Sequence, residues 1–338
     1  MKSASPCVGL IDVGSNSIKA LIATREPDGR LVSVDHLTLD TRISQGLSAA
    51  SPRLSEAGLT AGVHAVEQLF NLAQSHHVTS CTVVATNAVR GASNGAEFAS
   101  RILASTGLPL RILSGDEEAR LIGRGLLCDP ALSRWQDFHV FDLGGGSLEC
   151  LSFRGRHLVQ AHSLPLGCVR LSERLVDDVT APWSSESDQK VRDHVTKSLQ
   201  AASLSFTSTS ASTPAVFCSG TMTSARAILA EAEGLLPHEI NPVLGTELLA
   251  AILKKIGDLP LLAARLTIPG LPERRADIMP TALATVLAPR RLRPLRGLPA
   301  FPLQFALGPG RRTTPLLASR QTLRIPSHTL RVTRLAIR

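Results

Sequence analysis

Asp12-Val-Gly-Ser-Asn-Ser-Ile-Lys19 has a counterpart far downstream, Asp142-Leu-Gly-Gly-Gly-Ser-Leu-Glu149. Each follows a short apolar run, Val8 to Ile11 and Phe138 to Phe141, and each turns through Gly and Ser into a second apolar run. Strand, glycine turn, strand is the pattern of a tight hairpin, and either copy alone reads as nothing more. Two copies, each with an acid at the strand end, read as a duplicated phosphate loop.

The chemistry of the two loops is shared. Gly14 and the run Gly144, Gly145 and Gly146 are expected to take positive φ and to admit a ligand close to the backbone, with main-chain N–H groups over Ser15, Asn16 and Ser17 as donors. Ser15, Ser17 and Ser147 add hydroxyls, and a polyanionic phosphate is the natural guest. Asp12, Asp142 and Glu149 would repel that guest unless a cation lay between. Mg²⁺, held by a few carboxylates with substrate oxygens and water, meets the demand, and Mn²⁺ is the alternative.

Further blocks occur in order: ATNAVRGASN (Ala85 to Asn94), LSGDEEARLIGRG (Leu113 to Gly125), LPLGCVRLSER (Leu164 to Arg174), SGTMTSA (Ser219 to Ala225) and ERRADIMP (Glu273 to Pro280). With the two loops they make the chain, from about Cys7 to about Ala288, resemble the exopolyphosphatase and guanosine pentaphosphate phosphohydrolase family (Ppx/GppA). That family lies in the superfamily of actin, sugar kinases and heat-shock chaperone ATPases. The resemblance implies an α/β fold of two actin-like, ribonuclease H-like domains. The first spans 1–125, and the second spans 126–288. It further implies a Mg²⁺-dependent release of terminal orthophosphate from inorganic polyphosphate or guanosine pentaphosphate, a cytoplasmic enzyme of the stringent response, and a homodimer as the common assembly.

Residue roles follow from the same resemblance. In the Asp116-Glu117-Glu118 cluster, acids in a first helical turn are commonplace because they complement the dipole. The family motif picks out Glu118 as the base that activates water and leaves Glu117 as a first-turn acid. Arg90 is the expected phosphate clamp, since a planar guanidinium keeps its charge and donates in several directions; Thr86 and Asn94 shape its loop. Asp142 and Glu149 are expected to hold the metal, with Asp12 nearby. Ser219, Gly220 and Thr221, where a strand gives way to a helix, offer unpaired N–H groups to a phosphate, although an N-cap explains Ser219 or Thr221 equally well.

Charge adds a second division. Eleven Arg fall within 289–338, without Lys, Asp or Glu, so the net +8 of the chain leaves about −3 for residues 1–288. No nucleic-acid partner is therefore expected: such basic arms usually carry Lys and aromatic stacking residues as well. The Arg- and Pro-rich segment has no sustained period and follows the point where the family pattern stops. It is expected to be disordered, or to be an out-of-frame reading of GC-rich DNA, a hypothesis that one uninterrupted frame shared by close relatives would sink. The chain also shows neither the family's Gly-Leu-Arg-Glu-Gly-like closing signature nor its long HD-like extension, which puts the closing elements of the fold and processive action in doubt.

The remaining expectations are brief. Strands are read over Cys7 to Gly14, Ile18 to Thr24, Leu31 to Leu39, Cys81 to Ala85, Leu110 to Leu113 and Ala215 to Cys218. Helices are read through Val63 to Ala73, Gly95 to Thr106, from Gly115, near Ser172, and over Asp188 to Leu204, Thr221 to Glu231, Glu247 to Ile256 and Glu273 to Leu287. Thr207 to Pro214 reads as an exposed loop. No run has membrane-spanning length and no signal peptide is read at the start, so no membrane partner is expected. The six cysteines form no CxxC pair and read as reduced thiols. There is no HExxH motif or GxxxxGK[ST] loop, and the histidines receive no chemistry. Two other classes share the loops: a sugar or acetate kinase, which would bind a purine, and a non-catalytic alarmone sensor or inactive truncated product, which would bind without turnover.

Overall fold

Hydrophobic alternation builds the first sheet. In the computed structural model, which describes residues 6–47, 52–129, 132–202, 204, 215–241, 244–291 and 303–304, β1 (Cys7–Val13), β2 (Ser17–Arg25) and β3 (Leu31–Asp40) form an antiparallel meander. β4 (Ser80–Ala85) joins β1 in parallel and β5 (Leu110–Ile112) joins β4, giving the order β3-β2-β1-β4-β5. Ile11, Val13, Ile18 and Ala20 lie in one core with α1 (Glu56–Ser75). This helix starts at Ser55, whose hydroxyl accepts the Gly58 N–H, and buries Leu59, Val66, Leu69 and Ala73. Leu59, Val66 and Leu69 each contribute roughly 1.5–3 kcal/mol by leaving water. The short α2 (Asn87–Gly91) and α3 (Gly95–Thr106) complete the face.

The second sheet repeats the first. Strands β6 (Phe138–Leu143), β7 (Leu148–Arg154) and β8 (His157–Leu164) form the meander, β9 (Ala215–Cys218) joins β6 in parallel, and the two-residue β10 (Leu303–Gln304) joins β9. The order β8-β7-β6-β9-β10 matches β3-β2-β1-β4-β5 strand for strand. That duplicated α/β arrangement is the two-domain actin-like fold expected from the sequence. β6 is buried along its whole length and β7 at all but Arg154, because helices cover both faces. On one side lies α4 (Gly115–Leu127), with Ile122 and Leu126 against Phe138, Leu151 and Phe153. On the other lie α5 (Cys168–Leu175), α6 (Ser185–Ala201), α7 (Gly220–Glu233), α8 (Thr246–Gly257), the single turn α9 (Leu262–Arg265) and α10 (Met279–Leu287), the last buried all round.

Three features differ from the sequence reading. α4 follows β5 in the chain yet packs on β7 and β8, so the change of core falls near Ser114 rather than at 125. The helix read over Glu273 to Leu287 is two pieces, a 3₁₀ turn at Glu273–Arg275 and then α10. Pro280 supplies the reason: proline is favoured in a first helical turn and excluded from an interior. The Arg-rich segment contributes a 3₁₀ turn at Ala288–Arg291 and β10; its other residues, and the Thr207 to Pro214 loop, lie outside the described residues. All six cysteines are free thiols. No helix among the described residues is long and apolar enough to cross a membrane.

Candidate active site

The two glycine loops face each other across a cavity of about 50 Å³ between the lobes. Each loop closes on itself: the Gly14 N–H donates to the Ser17 carbonyl at 3.2 Å, and the Gly144 N–H to the Ser147 carbonyl at 2.9 Å. Beyond that closure, each loop turns its carbonyls outward. Ser15 O accepts from the Ser44 N–H and hydroxyl, and Asn16 O from the Thr41 and Arg42 N–H groups. In the second loop Gly144 O accepts from the Cys168 N–H at 3.0 Å, and Gly145 O from the Val169 and Arg170 N–H groups at 2.9 and 3.1 Å. Gly146 O takes the Arg170 Nε–H at 3.0 Å. A trans peptide points its N–H opposite to its C=O. The N–H groups of Gly145, Gly146 and Ser147 therefore face away from α5, and those of Asn16 and Ser17 face away from Thr41 to Ser44.

The expected positive φ is absent from all four loop glycines. They are small for another reason. A Cβ on Gly145 would meet Ser15 and Asn16 at 3.2 Å, one on Gly146 would strike Asn87 and Ser15, and one on Gly167 would strike the backbone of Gly145 and Gly146. The glycines let three segments converge on one point.

Asp12, Gly14, Ser15, Asn16, Ser17, Glu118, Gly144, Gly145, Gly146, Ser147 and Gly220 line the cavity. Asp142 and Glu149 do not; they form a registered pair across β6 and β7 beneath the second loop, 1% and 0% exposed. Glu149 accepts from the Ser163 hydroxyl at 2.8 Å through Oε1, while Oε2 has no hydrogen-bond partner among the described residues. Burial first, then the charges of Glu118 and Asp142, raise the Glu149 carboxyl well above the usual range. Among the described residues, Asn16, 7% exposed, has no partner for either side-chain amide atom, and Thr221 Oγ1, fully buried, has none either.

The acids at the start of α4 point in different directions. Ser114 caps α4 by accepting the Glu117 N–H, Glu117 pairs outward with Arg111, and Glu118, 7% exposed, turns into the cavity. Arg90 holds Glu118. Its Nη1 donates to the Leu113 carbonyl at 2.7 Å and to Glu118 Oε2 at 3.0 Å, and it lies outside the lining. Asn94 holds Leu54 through both amide atoms, away from the cavity. Ser219 is the N-cap of α7, accepting the Met222 N–H, so the capping reading holds for it.

The sequence of residues 22–291 matches the Ppx/GppA phosphatase family. The chain belongs to that family. Among solved structures, a Ppx/GppA family member from Aquifex aeolicus is 23% identical with a TM-score of 0.66, over 84% of this chain and 90% of that one. An exopolyphosphatase from Cytophaga hutchinsonii is 18% identical with a TM-score of 0.75, over 96% of both chains. An exopolyphosphatase-like protein is 20% identical with a TM-score of 0.75, over 96% of this chain and 97% of that one. These likenesses establish the shared fold.

Within this Ppx/GppA cleft, the lining residues with no assigned role in the sequence reading are Lys19, Asn87, Leu143, Cys168 and Arg275. Lys19 was legible, since it follows Ser17 by two positions on β2 and pairs across from Asp12. Arg275 was not, because only the folded chain lays its guanidinium over Gly220, where a Cβ would collide with it. A cation at the positive amino end of α7 is unfavourable by itself and becomes favourable when an anion is shared between them.

Proposed function

We propose that the protein hydrolyses the terminal phosphoanhydride bond of inorganic polyphosphate or guanosine pentaphosphate, releasing orthophosphate. The observation that carries this is one cavity lined by both glycine loops, the cations Lys19 and Arg275, and the carboxylates Asp12 and Glu118. The N–H groups of Gly145, Gly146 and Ser147, with those of Asn16 and Ser17, bind the terminal phosphates, and Lys19 and Arg275 balance their charge. Glu118, held by Arg90, orients a water in line with the departing bridge oxygen and accepts its proton as the new P–O bond forms. The bridge oxygen leaves with the shortened chain.

Asp142 and Glu149 fit a divalent cation. Two buried carboxylates side by side, one with an unpartnered oxygen, favour a positive neighbour, and Mg²⁺ characteristically takes one or two carboxylates together with substrate oxygens. Among the described residues no group of three or more His, Cys, Asp or Glu is placed to hold a metal ion by itself. Mg²⁺, with Mn²⁺ as the alternative, would be held by Asp142 and Glu149 with Asp12 nearby, and would supply neutralisation of phosphate charge.

Phosphate release from long-chain polyphosphate and from guanosine pentaphosphate, with Mg²⁺, tests the reading beside Glu118→Gln. Release by the parent and its loss in the variant is expected. Tight ligand binding without release by the folded parent would overturn the reading in favour of a sensor, and ADP formation from ATP in favour of a kinase.

A further inference from the structure

The second loop presents three successive N–H groups inward only because three successive carbonyls are taken up outside it. Two are taken by main-chain donors at the start of α5, a consequence of the helix being there. The third, Gly146 O, is taken by a side chain: Arg170 Nε donates to it at 3.0 Å. The same guanidinium donates through Nη2 to Asn87 Oδ1 at 2.9 Å, and Asn87 is the first residue of α2 in the other lobe. Arg170 is half-buried behind the loop, beside a second, water-sized cavity of about 10 Å³ that it shares with Ser15, Asn87 and Gly146. It does not line the cavity in front.

We propose that Arg170 is the positioning residue of the phosphate loop: it fixes the Gly146–Ser147 peptide with its N–H inward, and through Asn87 it does so when the two lobes are together. Ser147 N–H is the donor governed by this peptide. Without Arg170, a glycine peptide with no side chain to resist rotation is free to turn its carbonyl toward the phosphate, replacing an attraction by a repulsion. The fork geometry matters, because a Lys ammonium is a point charge and cannot hold Gly146 O and Asn87 Oδ1 along two fixed directions. Arg170 acts through the loop and touches no reacting atom. This inference rests on the loop binding phosphate as proposed above.

The test is calorimetric titration of the full chain with orthophosphate and tripolyphosphate, with tripolyphosphate hydrolysis measured in parallel, for the parent, Arg170→Met, Arg170→Lys and Asn87→Ala. The expected result is a loss of affinity on the order of tenfold or more for Arg170→Met, the size of one charge-assisted hydrogen bond. Arg170→Lys recovers part of it, Asn87→Ala loses less, and all four proteins melt within a few degrees of one another. Amide exchange supplies a readout that needs no turnover: the Ser147 amide changes its rate in Arg170→Met while the Gly144 amide, bonded within the loop, does not. Unchanged affinity in Arg170→Met overturns the inference, as does full rescue by Lys, or parent protein that binds neither anion. A parent that binds both anions but releases no phosphate overturns the hydrolase reading and leaves this inference standing.

Discussion

The two glycine loops are built on the same strands of duplicated sheets, yet one carries a single glycine and the other three in succession. Conformational freedom does not explain the difference, since none of the four has positive φ. Surroundings do. The first loop is backed by the chain that leaves β3, whose Thr41, Arg42 and Ser44 reach its carbonyls from outside. The second is squeezed between the first loop, Asn87 and Gly167, so closely that side chains at 145 and 146 have no room. A glycine run beside a ligand site can thus report a crowded junction of backbones rather than an unusual backbone angle.

That contrast can be broken in several places. The largest effect belongs to the group that both loops serve: Glu118→Gln should lower phosphate release by about a hundred- to ten-thousand-fold, with the melting temperature little changed. A tripolyphosphate assay beside a thermal melt separates chemistry from folding. Next, Gly167→Ala forces a Cβ onto the backbone of Gly145 and Gly146, and overpacking against main chain should cost about 3 kcal/mol or more. Gly14→Ala meets only the Ser17 carbonyl of its own loop, at 2.9 Å, and should cost about 1 kcal/mol. Equal losses by denaturant titration would mean that the crowding argument is wrong.

The lobes also differ in acid. His139, on β6, is buried against Ser152 and its imidazole is pushed down to about 4, by burial first and then by the charge of Arg154. The folded state thus disfavours the proton that the unfolded chain accepts. Stability from this group is complete above the ordinary pKa near 6.5 and is lost as pH falls toward 4. The loss should be about 1–3 kcal/mol, since each tenfold change in proton affinity is worth about 1.4 kcal/mol. Hydrogen exchange should show the second lobe loosening before the first, and His139→Asn should flatten the difference. The smallest effect is at the clasp between lobes. Arg42 holds Asp277 through both oxygens at 2.6 and 2.8 Å, partly exposed, and Asp277→Asn should cost about 1 kcal/mol. A stability change that ignores added salt would tell against a charge-borne clasp.

Sequence made the strands legible, because Val8 to Ile11 and Phe138 to Phe141 alternate or bury fully and each ends at a glycine turn. The motif singled out Glu118, which the fold turns into the cavity, and the capping role of Ser219 was legible from its place between strand and helix. What escaped depends on distant segments meeting. No pattern near Arg90 announces that it will hold Glu118, 28 residues away, and none near Arg275 announces Gly220. The split of the ERRADIMP helix was written in Pro280 and could have been read. The lobe to which α4 belongs could not: its apolar face of Ile122 and Leu126 fits either core equally well on paper.

That last point bears on how the protein can be taken apart. A first-lobe fragment cut at Gly125 would carry away a helix whose apolar stripe has lost its partners, and would leave the other half without Glu118. Cut at Leu113 instead, each fragment would keep its own interior, and Arg90 and Glu118 would arrive on separate polypeptides. Recovery of activity on mixing the two would then depend on their reunion, which makes the pair a natural reporter for reassembly from halves.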